Sequence, residues 1–271
     1  MDLSNENVLH IKGKEIQYLQ FKKLLNYPEI KYAYVIGLDQ DFNINKNEEA
    51  KNNYKKICEE LNVNYNSIVK TKQNHTDNIQ IINKKINKDK PDFNMYEDTD
   101  GLITNKKGII LATVNADCIL LVFYDPIKKV IANVHSGWRG TLKRISEKTV
   151  NKMVKEYGCN PENIICCMSP SIRKDHFEVD EDVYKMFYNE FIIKASEDPD
   201  GFILKSSQNN KYYIDTIEIN RLILKNSGLK PENIIDSGIC SVCNKDLIHS
   251  YRAHGENSGR ATMIFSFGDG S

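Results

Sequence analysis

Two apolar runs, Cys118–Tyr124 and Val130–His135, are separated only by Asp125-Pro126-Ile127-Lys128-Lys129. Apolar runs on either side of a turn of that composition read as an antiparallel β-hairpin. If Tyr124 pairs with Val130, the ladder carries Cys118 opposite Ser136, with His135 beside it within ~5–6 Å. A one-residue bulge would then be needed to bring thiol and imidazole onto one face. Helices are equally plain: Glu48–Leu61, Thr141–Tyr157, one capped by Asp180 and running to about Phe191, and one capped by Asp215 and ending before Gly228. Further short strands are predicted at Tyr32–Leu38, Ser67–Thr71, Gly108–Val114, Ile164–Met168, Ile234–Cys240, Leu247–Tyr251 and Arg260–Ser266, with a hairpin turn at Lys205–Lys211. Helices mixed with strands that include a hairpin exclude a purely parallel array, so the expected class is α/β with mixed sheets. No Pro/Gly/Ser-rich linker divides the chain, and a single domain over residues 1–271 is expected. The polar stretch Asn83–Asp100 reads as a long surface loop, a candidate lid.

Composition narrows the partners. Lys and Arg together number 37 and so do Asp and Glu, which leaves no global field to draw in nucleic acid or an acidic membrane. The N-terminus is polar, and the longest apolar runs are too short to cross a bilayer, so a cytoplasmic protein is expected. Its seven cysteines then read as reduced thiols, most of them small core residues. Lysines outnumber arginines 31 to 6, and each arginine therefore draws notice as a fork for phosphate or carboxylate. Three of them, Arg139, Arg252 and Arg260, lie in two short glycine-containing motifs.

The chemistry concentrates where the hairpin opens. Asp117 precedes Cys118, and His135 leads into Ser136-Gly137-Trp138-Arg139-Gly140-Thr141, which opens a helix. Free backbone N–H groups at a helix start, next to an arginine, suit an anion. Two chemistries fit a Cys–His pair: a zinc site with an open coordination position, or a cysteine nucleophile activated by histidine. Zinc needs a further ligand, and His75, just after an apolar strand, is the best candidate. Asp117 and Arg139 are the candidate catalytic residues. Gln73, Ser136, Gly137, Arg252 and Arg260 are candidates for binding substrate or phosphate.

Gln73-Asn74-His75, Asp100-Gly101-Leu102-Ile103-Thr104, Ala116-Asp117-Cys118, the His135–Thr141 segment, Ser169-Pro170-Ser171-Ile172 and Ser250-Tyr251-Arg252 through Gly259-Arg260 occur in this order. Together they resemble the laccase-domain family, known as multicopper polyphenol oxidoreductases and as zinc-dependent purine nucleoside phosphorylases with adenosine deaminase activity. The resemblance runs from about residue 45 to 267. It implies a layered α/β sandwich similar to that of cysteine-hydrolase-like proteins, with His75, Cys118 and His135 as ligands of one catalytic Zn²⁺. It also implies purine nucleosides (adenosine, inosine, guanosine, methylthioadenosine) and inorganic phosphate as substrates. The chain departs from the family pattern at Asn74, Asn115, Leu120 and Ser136, none of them a proposed ligand.

Three rivals remain at this stage: a metal-free Cys118–His135 hydrolase, a copper-dependent phenol oxidase and a non-enzymatic nucleotide- or partner-binding module. Only six histidines argue against several copper centres. Asp100 and Thr104 are candidates for orienting a metal ligand. The lone Cys240-Ser241-Val242-Cys243 motif fits half of a zinc ribbon or a redox pair, but with no second Cys-x-x-Cys and an apparent strand leading into it a pair of core thiols is expected, and neither His249 nor His254 is expected to bind metal.

Overall fold

The computed structural model describes residues 1–83, 90–194, 203–205 and 211–268. Two mixed sheets lie face to face. In spatial order the larger has strands Val8–Lys12, Gln17–Phe21, Ile30–Ile36, Ala261–Phe267, Ile110–Asn115, Ile68–Thr71 and Asp92–Tyr96. The smaller runs Ile234–Asp236, Ile165–Met168, Ile119–Asp125, Val130–Ser136, Gly101–Thr104 and Ile79–Ile81. Parallel and antiparallel pairs occur in both. A three-stranded sheet is built from Glu178–Val179, Tyr212–Ile214 and Ile203–Lys205.

Three apolar layers explain the stacking. Between the large sheets, Tyr32, Tyr34, Leu111, Met263 and Phe265 meet Leu120, Val122, Tyr124, Ile131 and Cys167. On the outer face of the larger sheet, Ala33, Val35 and Ile264 pack on Tyr54, Ile57 and Cys58 of helix Glu49–Glu60. On the outer face of the smaller sheet, Leu121, Phe123, Ala132 and Val134 pack on Ile145, Val150 and Met153 of helix Ile145–Tyr157, and on Ile217 and Leu224 of helix Thr216–Asn226. Both principal strands of the hairpin are thus buried on two faces, which is why their sequences run apolar without alternation. The layered α/β sandwich with mixed sheets and flanking helices is the fold expected.

Several local readings need correction. Val130 pairs with Asp125 and His135 with Leu120, one residue away from the expected register. Residues directly opposite share a face, so this register sets His135 diagonally across from Cys118 on one face, and no bulge is needed. The helix read as Thr141–Tyr157 is two, Trp138–Leu142 and Ile145–Tyr157, broken at Arg144, whose φ of 58° is left-handed. Asp215 does cap its helix, accepting from the Glu218 N–H, whereas the side chain of Asp180 makes no cap hydrogen bond. Leu247–Tyr251 is not a strand, and the strand begun at Ile234 stops at Asp236. Within the polar stretch 83–100, residues Asp92–Tyr96 form a strand beside Ile68–Thr71. Residues 84–89 of that stretch, and 206–210 of the turn at Lys205–Lys211, lie outside the described residues. The first hairpin, Val8–Lys12 with Gln17–Phe21, was unforeseen because polar residues interrupt its apolar ones at the sheet edge.

Candidate metal centre

The chain passes from the larger sheet to the smaller three times at one end of the sandwich. One crossing follows Ile68–Thr71 and carries His75; a second follows Asp92–Tyr96 and carries Asp100; the third follows Ile110–Asn115 and carries Asp117 and Cys118. His135 sits near the end of its strand, next to all three. The ligand atoms of His75, Cys118 and His135 all lie within 4.8 Å of one another. Cys118 Sγ is 3.9 Å from His75 Nε2, and the two imidazole rings stand nearly perpendicular with centroids 5.0 Å apart.

Asp100 organises this cluster. Its fully buried carboxylate takes the Nδ1 side of His135 at 2.7 Å, which directs Nε2 toward the other two donors. The same carboxylate accepts from the backbone N–H groups of Asn74, His75 and Thr76, and the Asp100 carbonyl accepts from the His135 N–H. Burial alone would raise this carboxyl; the hydrogen bond and charge of His135, with the Thr76 donors, hold it below the ordinary value. His75 has a left-handed φ of 59°, a conformation costing about 1–3 kcal/mol outside glycine, and the Asp100 bonds hold it there. Thr104 turns instead to the carbonyl of Ile82 and has no such part.

The thiol and the imidazole also change each other. Burial would raise the Cys118 thiol, but the charge of His135 and hydrogen bonds from both imidazoles pull it down to about 6. His135 is pushed up to about 9: burial would lower it, and the Cys118 thiolate and Asp100 more than offset that. Two imidazole nitrogens and a sulfur held as thiolate suit a borderline-soft cation of the zinc type, with room for a fourth ligand. The backbone beside them is close. A Cβ on Gly137 would stand 2.7 Å from His75 Cδ2 and 3.1 Å from Cys118 Sγ, so only glycine leaves both side chains in place.

A cavity of about 420 Å³ opens over the cluster. Val114, Ile172, Trp138, Phe177 and Tyr251 give it apolar and aromatic walls, and Gln73, Ser136, Arg252 and Arg260 line it with polar groups. Gln73 is held by a two-way hydrogen bond to the backbone of Val114. Ser136 pairs with Thr141. Arg260 donates to the carbonyls of Ser258 and Gly259, and Arg252 to those of His176 and Glu178. Arg139 is placed differently from expectation: it is exposed, stacks 4.1 Å over Trp138 and does not line the cavity.

Asp117 has both carboxylate oxygens engaged, accepting from Ser241 Oγ and from the Arg252 N–H, each at 2.6 Å. It too is left-handed, with φ at 80°. Asn115 closes the same turn, donating to the carbonyls of Cys118 and Pro170 and accepting from Tyr34. The sequence alone assigns no part to it, nor to the lining residues Trp138, Ile172, Phe177, Thr216 and Tyr251, although Trp138, Ile172 and Tyr251 stand within the motifs that carry the family resemblance. His249 is buried against the carbonyl of Gln40, and burial lowers it. Of the expected core thiols, Cys240 is buried but Cys243 is exposed and lies against His176.

A family model described as multi-copper polyphenol oxidoreductase laccase matches residues 37–267. Purine nucleoside phosphorylase YlmD of Bacillus subtilis is 31% identical over 82% of this chain and 76% of its own length. Adenosine deaminase RL5, from an unknown prokaryotic organism, is 31% identical over 75% of this chain and 76% of its own. The solved structure of YlmD from Geobacillus stearothermophilus superposes with a TM-score of 0.81 at 21% identity, covering 99% of this chain and all of that one. No helix among the described residues is long and apolar enough to cross a membrane.

Proposed function

The chain belongs to the multi-copper polyphenol oxidoreductase laccase family, and from that premise we propose that it is a zinc-dependent purine nucleoside phosphorylase that also deaminates adenosine. The observation that carries the reading is the convergence of His75, Cys118 and His135 at the mouth of a cavity with aromatic walls and two arginines. Relatives named purine nucleoside phosphorylase and adenosine deaminase support the same two reactions. His75 Nε2, His135 Nε2 and the Cys118 thiolate would hold the ion. Bound there, zinc supplies Lewis acidity and a water acidified toward neutrality.

The protein's own groups do the rest. Asp100 fixes the tautomer and direction of His135. Phosphorolysis needs phosphate held against the ribose C1′ while the C1′–N bond breaks and its electron pair leaves with the purine. Arg260 and Arg252 bring positive charge to the anion, and Phe177, Trp138 and Tyr251 offer faces against which a purine stacks. Asp117, with both oxygens engaged, acts as a positioning residue: it ties the Cys118 turn to the backbone of Arg252. Arg139 lies outside the lining, and the phosphate role passes to the arginines within it.

The lowered Cys118 thiol gives specific support to a second reading, a metal-free cysteine hydrolase. Metal analysis coupled to a nucleoside turnover screen separates the two. Zinc-loaded protein should release ribose 1-phosphate from inosine only with phosphate present, and inosine from adenosine without it. Chelation should stop both reactions and Zn²⁺ restore them. Full zinc loading with neither reaction would sink the proposal, and ester or amide hydrolysis by metal-free protein, stopped by alkylating Cys118, would favour the hydrolase.

A further inference from the structure

A second group of metal-ligating side chains lies outside the site above. His176, Cys240 and Cys243 also bring one ligand atom each to within 4.8 Å of the others, and these two groups are the ones that do so among the described residues. His176 Nε2 stands 3.1 Å from Cys243 Sγ. Both loops that carry them are already built. The Cys243 N–H points at Cys240 Sγ at 3.5 Å, and the Asn244 N–H and side chain both donate to the Cys240 carbonyl. Backbone donation to the first sulfur of a Cys-x-x-Cys turn orients that sulfur and sets the second beside it. On the other loop, the His176 N–H donates to the Arg173 carbonyl, and Arg173 is anchored by a two-pronged ion pair to Asp236 at 2.6 and 2.7 Å.

We propose that His176, Cys240 and Cys243 form a second metal site, binding one zinc-type cation through an imidazole and two thiolates with the fourth position open to water. Two sulfurs and one nitrogen select a softer ion than carboxylates would, and zinc is the common tetrahedral choice. Binding releases the thiol protons to solvent and involves no redox step.

The site has a structural task. Ser241, inside the Cys-x-x-Cys turn, donates to Asp117, and the His176 carbonyl accepts from Arg252. An ion here clamps together two loops that touch the cavity wall, with Phe177 next to one of its ligands. It does not require that the wall bind a nucleoside, and so stands apart from the proposed activity.

The test is metal stoichiometry on the full chain, purified reduced and anaerobically, then loaded with Zn²⁺ or Co²⁺. Wild type should bind two equivalents. Cys118→Ala should keep one, with the larger part of the near-ultraviolet thiolate-to-cobalt absorption, because two of the three ligand sulfurs remain. Cys243→Ser, at an exposed position, should also keep one, with the smaller part of that absorption. His176→Gln should behave as Cys243→Ser does in metal count, which guards against either variant failing to fold. A wild type binding one equivalent that Cys118→Ala abolishes would overturn the proposal. So would thiol titration that finds Cys240 and Cys243 joined in a disulfide in the metal-loaded protein.

Discussion

The two histidine–cysteine clusters use the same side chains in opposite ratio and in unlike surroundings. His75, Cys118 and His135 sit where three crossings between the sheets converge, and a buried carboxylate stands behind His135 and under the turn of His75. His176, Cys240 and Cys243 sit on loops, two of the three only part-buried or exposed, and the imidazole Nε2 meets a sulfur directly. What differs is preorganisation. The first cluster has its tautomer, its backbone conformation and its thiol charge set before any ion arrives. The second has its turn built but, among the described residues, no carboxylate bonded to its imidazole, so an ion bound there should exchange faster and yield first to a chelator.

That contrast can be broken by removing the brace. Asp100→Asn keeps the shape but puts an amide where several N–H groups converge. Metal affinity at the first cluster should fall by about 10- to 100-fold, as for loss of groups that orient a ligand, while the second cluster is untouched. Competition with a chromogenic chelator reads this out; unchanged affinity at both sites would mean that Asp100 only supports the backbone.

Gly137→Ala probes the same site through sterics. The added methyl meets His75 and Cys118, and overpacking of this kind costs about 1–3 kcal/mol, which corresponds to roughly a 5- to 150-fold loss of metal affinity. Thermal melting of metal-free protein should shift little, since the clash falls on ligand side chains at the cavity mouth. A large loss of melting temperature with intact metal binding would place the cost in the fold instead.

The smallest effects separate wall from rim. Arg260→Lys should raise the phosphate KM by about tenfold, because a lysine keeps the charge but not the fork, a difference near 1.5 kcal/mol. Adenosine deamination and metal content should hardly change. Arg139→Lys should cost less than about threefold in either reaction, in line with an exposed cation–π contact. Steady-state kinetics at varied phosphate decide between them, and a larger loss at Arg139 would return the anion to the start of its helix.

Much of this is legible in the amino-acid sequence. Unbroken apolar runs declared the central strands, and the Cys118 hairpin followed from its turn residues. The pairing register did not, because slipping by one residue leaves an all-apolar strand equally apolar on both faces. The motif His135–Thr141 pointed to the site, but a sequence cannot say which way Arg139 turns, and stacking on Trp138 took it out of the cavity. Asp117 and Cys118 were read together, yet the carboxylate serves Ser241 and Arg252, partners more than a hundred residues away. The Cys-x-x-Cys motif reads as core because there is no second such motif and an apparent strand leads into it, whereas His176, distant in the chain, is brought beside Cys243 by the Ser171–Cys240 bridge and the Arg173–Asp236 ion pair.

The central claim is that turnover depends on an ion held by His75, Cys118 and His135. Cys118→Ala tests it most directly, with metal content and both reactions measured on one preparation. The account predicts one fewer zinc per chain than wild type, an unchanged fold by circular dichroism, and loss of phosphorolysis and deamination together. A Cys118→Ala protein with the full wild-type zinc content, or one that lost the ion and kept either reaction, would contradict it.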